Sequence, residues 1–564
     1  MKKSRYLSAA FLLAMSAACT EKPEPGSGTG GGWTVTDGNV ETTIPADRNS
    51  IILNPLSGWV VYVPLIDDVD MFWEKYEHFE SSQGEVNVFD YGDVIYLRGS
   101  WTDFNPEKGV YIWDDNIDYT RYPKALSLKK FEEGAKARGL KLAFTLKVDS
   151  RDANSFCTPE YVREEMVRAY GGDPDKSLEE YHTLSDKSKP VDTGMGFFVF
   201  GLGSTPRYYW SPYPDDPIFQ KWYDVFIRAL AARYDYPEKT AFISGLGMGK
   251  WGEYHNCIYS TGDETPKEAV FDWVTSLYAD AFRYTPVVTN YHKMVGSTRG
   301  EGAARPESEQ MLTSAIRKGF CMRHDAFGMR SETFGYGSWE KNFIAKHTYE
   351  VPVLGEGGWI VNQGSVDADG TRHNYLTQYA GPRELRIGEY EDMNSAYANM
   401  MDLRYDASYS SGETWSWFND AYDYVVKFLK EDCYRIYPDK VSLPSKCRNG
   451  SEITIQHRWL NLGRAYCPTN IKQFRDRFKV TFALLKDGEP VKLFSDDGAQ
   501  PHEWISGRKS YEFRATVEDV PAGSYIWGVG IIDTALDGKI GMRIAARGDY
   551  TESGWLKINK VIVE

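Results

Sequence analysis

Short apolar runs alternate with amphipathic stretches from about residue 50 to about residue 430. Runs such as VVYV and VIYL are continuously apolar, which is typical of strands buried on both faces. Stretches such as PIFQKWYDVFIRALAARY place their apolar residues at helical spacing. This alternation predicts βα units arranged around a parallel sheet.

Eight strands are predicted in this part of the chain. They span residues 58–64, 94–101, 140–149, 241–253, 285–292, 319–328, 351–359 and 407–419. Helices are predicted between them, and the helix before the third strand ends at Gly139, which suits a C-cap. Eight such units predict a (β/α)8 TIM barrel. A doubly wound sheet would need a glycine-rich phosphate turn after the first strand, where the chain reads VPLIDDVD instead.

From about residue 436 the pattern changes to short strands separated by turn residues such as Asp-Gly and Pro-Ala-Gly. No helical period appears there, so an antiparallel β-sandwich is predicted. The chain is therefore of the α/β class, with a barrel domain over residues 48–432 and a β-sandwich domain over residues 433–564.

The chain begins with MKKSRYLSAAFLLAMSAAC, a basic start followed by an apolar run too short to span a bilayer. Residues 1–18 are predicted to be a secretory signal. The SAAC segment resembles a bacterial lipobox, with Ser16 where Leu is usual, and this resemblance implies lipidation of Cys19. The alternative is ordinary cleavage that leaves Cys19 free. Residues 19–47 begin with a Pro/Gly/Ser-rich stretch and are predicted to be a flexible tether.

The signal segment implies export, with a lipid anchor in the bacterial outer membrane, at its periplasmic face or at the cell surface. A net charge of −15, with no basic run beyond the first five residues, argues against a nucleic-acid partner. The 17 Trp and 38 Tyr residues are numerous enough to suggest stacking on sugars, although most must serve the core. A carbohydrate is therefore the expected partner.

Six cysteines follow Cys19, and none has the spacing of metal ligands. They are expected to be mostly buried free thiols, with one disulfide among the last three as the alternative. A metal bound by His255, His292 and His324 is the alternative, but nothing in their spacing singles it out. Neither a metal nor another cofactor is predicted.

In a barrel, the chemistry lies at the carboxyl ends of the strands. These predicted ends are rich in polar and aromatic side chains. Those expected to contact substrate are Arg98, Trp101, Trp251, His255, Asn290, Tyr291, His292, His324, Asp325, Trp359 and Trp415.

Two glutamates occupy similar settings, Glu253 in GKWGEYH and Glu356 in VLGEGGW. Glycoside hydrolysis needs one carboxyl that donates a proton and a second that attacks or stabilises the anomeric carbon. Trp251 and Tyr254 are expected to raise the pKa of Glu253 by desolvation. Glu253 is therefore the predicted acid/base, and Glu356 is the predicted nucleophile.

Carboxylates at the ends of strands four and seven resemble those of the clan A retaining glycoside hydrolases. The segment WTDFNPEKGVYIWDDNID, residues 101–118, is similar to the second-strand region of many such enzymes. GKWGEYH and the C-terminal region also resemble a group of exported bacterial proteins that join a barrel to a β-sandwich. The likeness to clan A implies that Trp415 is a platform for the sugar. One departure is Gly252, which stands where clan A has an asparagine that binds the sugar 2-hydroxyl; Asn290 or Asn256 would have to replace it.

Alternatives remain at the level of residues and of function. Asp325, in MRHDAFG, could replace Glu356 as the partner of Glu253, or it could form a structural ion pair with Arg323. Each glutamate could likewise pair with a basic residue at the barrel mouth. The predicted function is a retaining glycoside hydrolase acting on an extracytoplasmic poly- or oligosaccharide, and the alternative is a non-catalytic glycan-binding surface lipoprotein. A lyase or esterase is disfavoured because the chain shows neither a GxSxG motif nor a cluster of arginines for acidic sugars.

Overall fold

The computed structural model describes residues 34–151, 155–183, 196–200, 207–298, 305–329, 336–358, 379–405 and 412–564, with only the backbone described at 182–183 and 197–200. The predictions for the signal segment, Cys19 and Trp359 lie outside these residues. Within them, no helix is both long enough and apolar enough to cross a bilayer.

Eight parallel strands close into a barrel, which confirms the predicted fold. Barrel strands one to eight are Gly58–Pro64, Val94–Ser100, Lys141–Lys147, Thr240–Gly247, Val287–Asn290, Phe320–Phe327, Val353–Gly357 and Met400–Arg404. Each strand pairs with the next, and strand eight closes the ring by pairing Met400 with Gly58. Most strand residues are buried on both faces, as the continuous apolar runs predicted.

Helices surround the barrel. Their bounds are Val69–Glu77, Trp101–Phe104, Pro123–Ala137, Glu160–Ala169, Leu178–Thr183, Pro217–Tyr234, Lys267–Ala281, Pro306–Lys318, Ser338–Lys346, Pro382–Ser395, Glu413–Asp420 and Tyr422–Lys427. The longest shows the expected start, because the Asp216 side chain accepts from two backbone N–H groups and proline occupies the first turn. Two short hairpins also occur, Phe79–Ser81 with Gly84–Val86 and Gly196–Phe200 with Tyr208–Pro212.

The predicted position of strand eight, residues 407–419, is wrong. The strand is Met400–Arg404, and residues Glu413–Asp420 form a helix. The true strand carries Asp402 and Arg404 among apolar residues, a pattern that resembles an amphipathic helix more than a buried strand. Trp415 consequently lies on a helix of the outer layer.

The C-terminal region forms two packed sheets, as predicted. One has the order Asn39–Thr43, Ile436–Pro444, Glu452–Asn461 and Lys509–Thr516. The other has the order Lys446–Cys447, Leu556–Val563, Gly523–Asp533, Phe478–Lys486 and Glu489–Asp496, with Lys539–Met542 beside Gly523–Asp533. The pairing is antiparallel except between Lys446–Cys447 and Leu556–Val563.

One boundary needs correction. Residues Asn39–Thr43, predicted within the flexible tether, form an edge strand that pairs antiparallel with Ile436–Pro444. The Asn39 side chain fixes this pairing by donating to the carbonyls of Ser442 and Thr454. The short alternation NVETT carried the strand signal, but it is weak beside the glycine-rich stretch that precedes it.

The β-sandwich packs under the amino-terminal ends of the barrel strands. Lys472 Nζ donates to the Ala279 carbonyl at 2.8 Å, and Asn399 Nδ2 donates to the Tyr466 carbonyl at 3.0 Å. A cavity of about 640 Å³ lies at this junction, lined by strand-start residues such as Lys141 and by sandwich residues such as Arg543. The six cysteines after Cys19 are buried and free, as expected for buried thiols. Because the sandwich covers the amino-terminal end of the barrel, the predicted catalytic residues lie at the opposite, carboxyl end.

Candidate active site

Three carboxylates meet at the carboxyl end of the barrel. Glu356 lies on strand seven, Asp325 lies on strand six, and Glu253 follows strand four after the 3-10 turn Lys250–Gly252. One oxygen from each lies within 4.8 Å of the others. The structure thus brings the predicted pair, Glu253 and Glu356, together and adds the predicted rival, Asp325.

A single guanidinium, that of Arg323 on strand six, joins these carboxylates. It contacts Asp325 and Glu356 directly and lies 3.7 Å from Glu253. Arg404, at the end of strand eight, contacts the other oxygen of Glu356. Because Arg323 is almost fully buried, these ion pairs are little screened by solvent.

The pKa of Glu253 differs from expectation. Burial raises it, but a hydrogen bond from His255 and the charge of Arg323 outweigh burial and lower it to about 2. His255 Nε2 lies 3.4 Å from Glu253 Oε2. The expectation that Trp251 and Tyr254 raise this pKa is wrong, because the charged and hydrogen-bonding neighbours dominate.

Asp325 behaves in the opposite way. Burial raises its pKa to about 8 despite the nearby Arg323 guanidinium, and the negative charge of Glu253 contributes. The two carboxyls form one coupled acid that retains a proton near neutral pH. The raised pKa of Asp325 assigns that proton to Asp325.

The loop that carries Glu253 has a strained backbone. Trp251, Tyr254 and Asn256 adopt positive φ values of 57°, 61° and 50°, which side-chain-bearing residues rarely do. At Gly252, where φ is 82°, a Cβ atom would lie 2.2 Å from the Leu146 carbonyl oxygen. An asparagine cannot fit there, which explains physically the departure at position 252. Strained backbone of this kind clusters at functional sites.

Two side chains predicted to bind substrate also hold this loop. His292 Nε2 donates to the Glu253 carbonyl at 3.2 Å, and its Nδ1 accepts from the Met294 N–H. Burial and the neighbouring His255 lower the pKa of His292 to about 3, so its ring is neutral. Arg98 Nη2 donates to the Trp251 carbonyl at 3.2 Å and remains partly exposed.

Asn290 also belongs to the carboxylate cluster. Its Nδ2 donates to Asp325 at 2.6 Å, and its Oδ1 accepts from Arg323 at 2.8 Å. It therefore fixes Asp325 relative to Arg323. Trp251 is about one-third exposed, and its ring centroid lies 5.5 Å from that of His255, so it is an accessible aromatic surface next to Glu253.

Three predicted substrate contacts, Trp101, Tyr291 and His324, are wrong, and a fourth, the half-buried Trp415, stays a prediction. Trp101 begins a helix and packs against Phe219, Tyr223 and Phe226 with no exposed surface. Tyr291 and His324 follow Asn290 and Arg323 by one residue, so they lie on the opposite strand face, where they pack against each other. Trp415 packs against the core from its helix.

Several lumen-facing residues were missed. Tyr62 and Tyr96 stack inside the barrel with centroids 4.7 Å apart, and Arg98 and Arg404 lie over the Tyr62 ring. Alternation along strands one and two could have indicated both tyrosines. Arg404 was missed because strand eight was placed too late in the sequence.

The spacing of the three carboxylates could also hold a metal ion. The Arg323 guanidinium, however, lies within 4 Å of all three carboxylates and already supplies positive charge there. The predicted absence of a metal stays a prediction. The histidine alternative fits poorly, because both nitrogens of His292 are engaged and His324 lies on the other face of its strand.

No model of a protein family matches the sequence, and no curated protein matches it. Solved structures do show similarity. Endo-glycoceramidase II from Rhodococcus sp., in a lactosyl-enzyme intermediate, matches with a TM-score of 0.34 and 12% identity over 84% of this chain and 99% of that one. A glycoside hydrolase family 5 protein from Bacteroides vulgatus matches with a TM-score of 0.35 and 11% identity over 89% and 92%.

A family 138 glycoside hydrolase, titled as targeting pectin rhamnogalacturonan II, matches with a TM-score of 0.34 and 10% identity over 69% of this chain and 40% of that one. At such low identity and TM-score, the likeness concerns the fold and transfers no activity. Function has to be argued from the side chains.

Proposed function

We propose that this protein is a retaining glycoside hydrolase acting on a poly- or oligosaccharide. The observation that carries the proposal is the meeting of Glu253, Asp325 and Glu356 within 4.8 Å, with pKa values of about 2 and about 8 on the first two. Retaining enzymes place their two carboxyl groups about 5–5.5 Å apart. They also need one group that stays protonated beside one that is ionised.

Glu356 is the proposed nucleophile. Arg323 and Arg404 contact its two oxygens and orient the carboxylate. In the first step a Glu356 oxygen bonds to the anomeric carbon while the bond to the leaving oxygen breaks. In the second step water attacks the same carbon, and Glu356 returns to a free carboxylate.

The Glu253–Asp325 pair, rather than Glu253 alone, is the proposed acid/base. Its shared proton passes to the leaving oxygen in the first step, and the pair accepts a proton from water in the second. Formation of the glycosyl ester removes the negative charge of Glu356. The positive charge of Arg323 then acts on the carboxyls of Glu253 and Asp325 alone. This lowers the pKa of the pair and favours its role as a base.

A substrate screen with a matched variant tests the proposal. The mature chain is assayed on nitrophenyl glycosides and polysaccharides for release of nitrophenol or new reducing ends. Glu356→Gln should abolish turnover, while Glu350→Gln, an exposed change before the amino end of the same strand, should not. A 2-fluoro glycoside should label Glu356 in a peptide map. Labelling of Asp325, with activity surviving in Glu356→Gln, would instead identify Glu253 and Asp325 as the catalytic pair.

We also propose export with a lipid anchor on Cys19, on the strength of the signal-like start and the SAAC segment. The protein expressed with its full leader should sediment with membranes, and Cys19→Ala should release it. Membrane association that is unchanged in Cys19→Ala would contradict the anchor.

A non-catalytic glycan-binding lipoprotein is the second candidate. The observation that favours it is the contact of arginines with both oxygens of Glu356, which a nucleophile must partly leave in order to attack. Under this alternative a glycan binds equally well to the parent and to Glu356→Gln, and neither protein releases reducing ends.

A further inference from the structure

Two cations lie beside the carboxylate cluster, at the ends of strands two and three. Arg98 pairs in register with Thr145, and Lys147 pairs with Ser100. Thr145 and Lys147 are two residues apart and share one face, so Arg98 and Lys147 are diagonal neighbours on that face. The same face carries Tyr96, whose hydroxyl interacts with Thr145 and Ser244 inside the barrel.

Neither cation is in an ion pair within the described part of the chain. Arg98 donates to the Trp251 carbonyl and lies over the Tyr62 ring; its charge lowers the pKa of Glu253 and Asp325, but no carboxylate lies at ion-pair distance. Lys147 makes neither a hydrogen bond nor an ion pair there. Asp103 is near enough to influence Lys147, but its carboxylate is engaged in the capping box with Ser100.

Bringing these two cations together out of water costs free energy. Burial and the neighbouring Arg98 charge both lower the pKa of Lys147. Proteins ordinarily pair cations that are withdrawn from water, and Arg323 and Arg404 at the same barrel mouth are indeed paired. A bound anion would offset both the desolvation and the repulsion between like charges. The hydroxyls of a neutral sugar would offer hydrogen-bond acceptors but no compensating charge.

We propose that Arg98 and Lys147 form a subsite for the negatively charged group of a sugar, either the carboxylate of a uronic acid or a sulfate ester. The substrate class is therefore an acidic glycan, an assignment that rests on the function proposed above for the adjacent carboxylates. Arg98 also bonds to the loop that carries Glu253, so an anion held there lies next to the reacting groups. The sequence shows no cluster of arginines for acidic sugars; here one arginine and one lysine, from two neighbouring strands, supply the positive charge.

Binding measurements on the parent protein test the subsite directly. Polygalacturonate and chondroitin sulfate are titrated calorimetrically, each beside its carboxyl-reduced or desulfated counterpart. At least one acidic polymer should bind about tenfold or more tightly than its neutralised form, a preference that added salt should weaken. Loss of preference only on carboxyl reduction would assign a uronate, and loss only on desulfation would assign a sulfate.

Substitutions at Arg98 and Lys147 test whether these two residues cause the preference for acidic polymers. Arg98→Gln and Lys147→Gln should each reduce the preference at least about tenfold, whereas Lys147→Arg should retain it. Lys129→Gln, an exposed change on a helix, is the matched control and should behave as the parent. Equal binding of acidic and neutral polymers, binding to neither acidic polymer, or a preference that survives both glutamine variants would overturn the subsite. Should the glutamine variants fail to fold, salt dependence in the parent still decides the question.

The same assays separate this inference from the proposed function. Hydrolysis of neutral glycans without any charge preference would overturn the subsite and leave the hydrolase standing. Preferential binding of acidic polymers with no product would support the subsite and contradict the hydrolase. Release of unsaturated uronates would likewise support the subsite but indicate elimination instead of hydrolysis.

Discussion

Two buried arginines, Arg323 and Arg386, each bind several carboxylates, but in different surroundings. Arg386 has no exposed surface and joins Glu389 to Glu413 between helices Pro382–Ser395 and Glu413–Asp420. Arg323 joins three carboxylates at the barrel mouth, where the Asp325 side chain retains 23% exposure. The first cluster is sealed within the outer layer, and the second opens toward the end of the barrel where chemistry is expected.

Burial raises the pKa of a carboxyl group in both clusters, but the consequence for function differs between them. Burial raises the pKa of Glu389 well above its usual range, and burial also raises that of Asp325 to about 8. The Glu389 carboxyl has no exposed surface, whereas the Asp325 side chain is partly exposed. An arginine shared among carboxylates is therefore no evidence of catalysis by itself; access to a substrate is what distinguishes the two clusters.

The largest expected effect is on turnover. Glu356→Gln should reduce kcat on an activated aryl glycoside by on the order of 10⁴-fold, because the attacking carboxylate is lost. Glu389→Gln in the sealed cluster should leave kcat of the folded fraction near that of the parent. Equal losses in the two variants would show that the clusters differ less than their surroundings suggest.

Folding stability, in contrast to turnover, should depend more on the sealed Arg386 cluster than on the Arg323 cluster. Arg386→Met removes the cation between two buried carboxylates and should lower the free energy of unfolding by about 3–5 kcal/mol. Urea denaturation followed by tryptophan fluorescence measures this change. A loss below about 1 kcal/mol would mean that the carboxyls of Glu389 and Glu413 are satisfied without the guanidinium.

The pH dependence of activity should identify the proton on the coupled pair. In the parent, kcat/KM should fall above about pH 8, as Asp325 loses its proton. Asp325→Asn should lower kcat/KM by about 10²-fold and remove that descending limb. An unchanged limb in this variant would place the proton elsewhere.

Asp325 also makes folding stability depend on pH. Its folded pKa is raised above the ordinary 3.8, so the native state binds more protons than the unfolded state between that value and about 8. Its contribution to stability is therefore fully present below about pH 3.8 and is lost as the pH rises to about 8. Asp325→Asn should flatten the corresponding part of the stability profile.

The smallest change in stability should come from breaking an ion pair whose two side chains are both exposed to solvent. Lys346 Nζ lies 2.7 Å from Glu309, with both side chains substantially exposed. Lys346→Ala should change the free energy of unfolding by less than about 1 kcal/mol. A larger change would show that exposure is a poor guide to the strength of the arginine clusters as well.

Much of the fold could be predicted because buried parallel strands are continuous apolar runs. Strands one to seven and the sandwich strands have this pattern or clear turn residues, such as Asp487–Gly488 between Phe478–Lys486 and Glu489–Asp496. Strand eight has only five residues and carries Asp402 and Arg404, so its pattern was ambiguous. Trp101 was misjudged because a residue at the end of a predicted strand can equally begin a helix.

The candidate site was predicted less completely, since its chemistry depends on charges brought together from separate strands. The sequence indicated Glu253, Asp325 and Glu356, but it could not show that the Arg323 guanidinium lies within 4 Å of all three. The predicted direction of the shift in the Glu253 pKa was wrong for the same reason. Sequence neighbours suggested desolvation, whereas His255 and the distant Arg323 determine the outcome.

The strained loop between Gly249 and Asn256 limits how this protein can be re-engineered. Its backbone follows a path that few side chains tolerate, and Gly252 leaves no room for even a methyl group. Libraries of variants that aim to change the accepted ligand should therefore leave this loop intact and vary other residues at the carboxyl end of the barrel. Diversity introduced at Gly252 would chiefly yield misfolded clones.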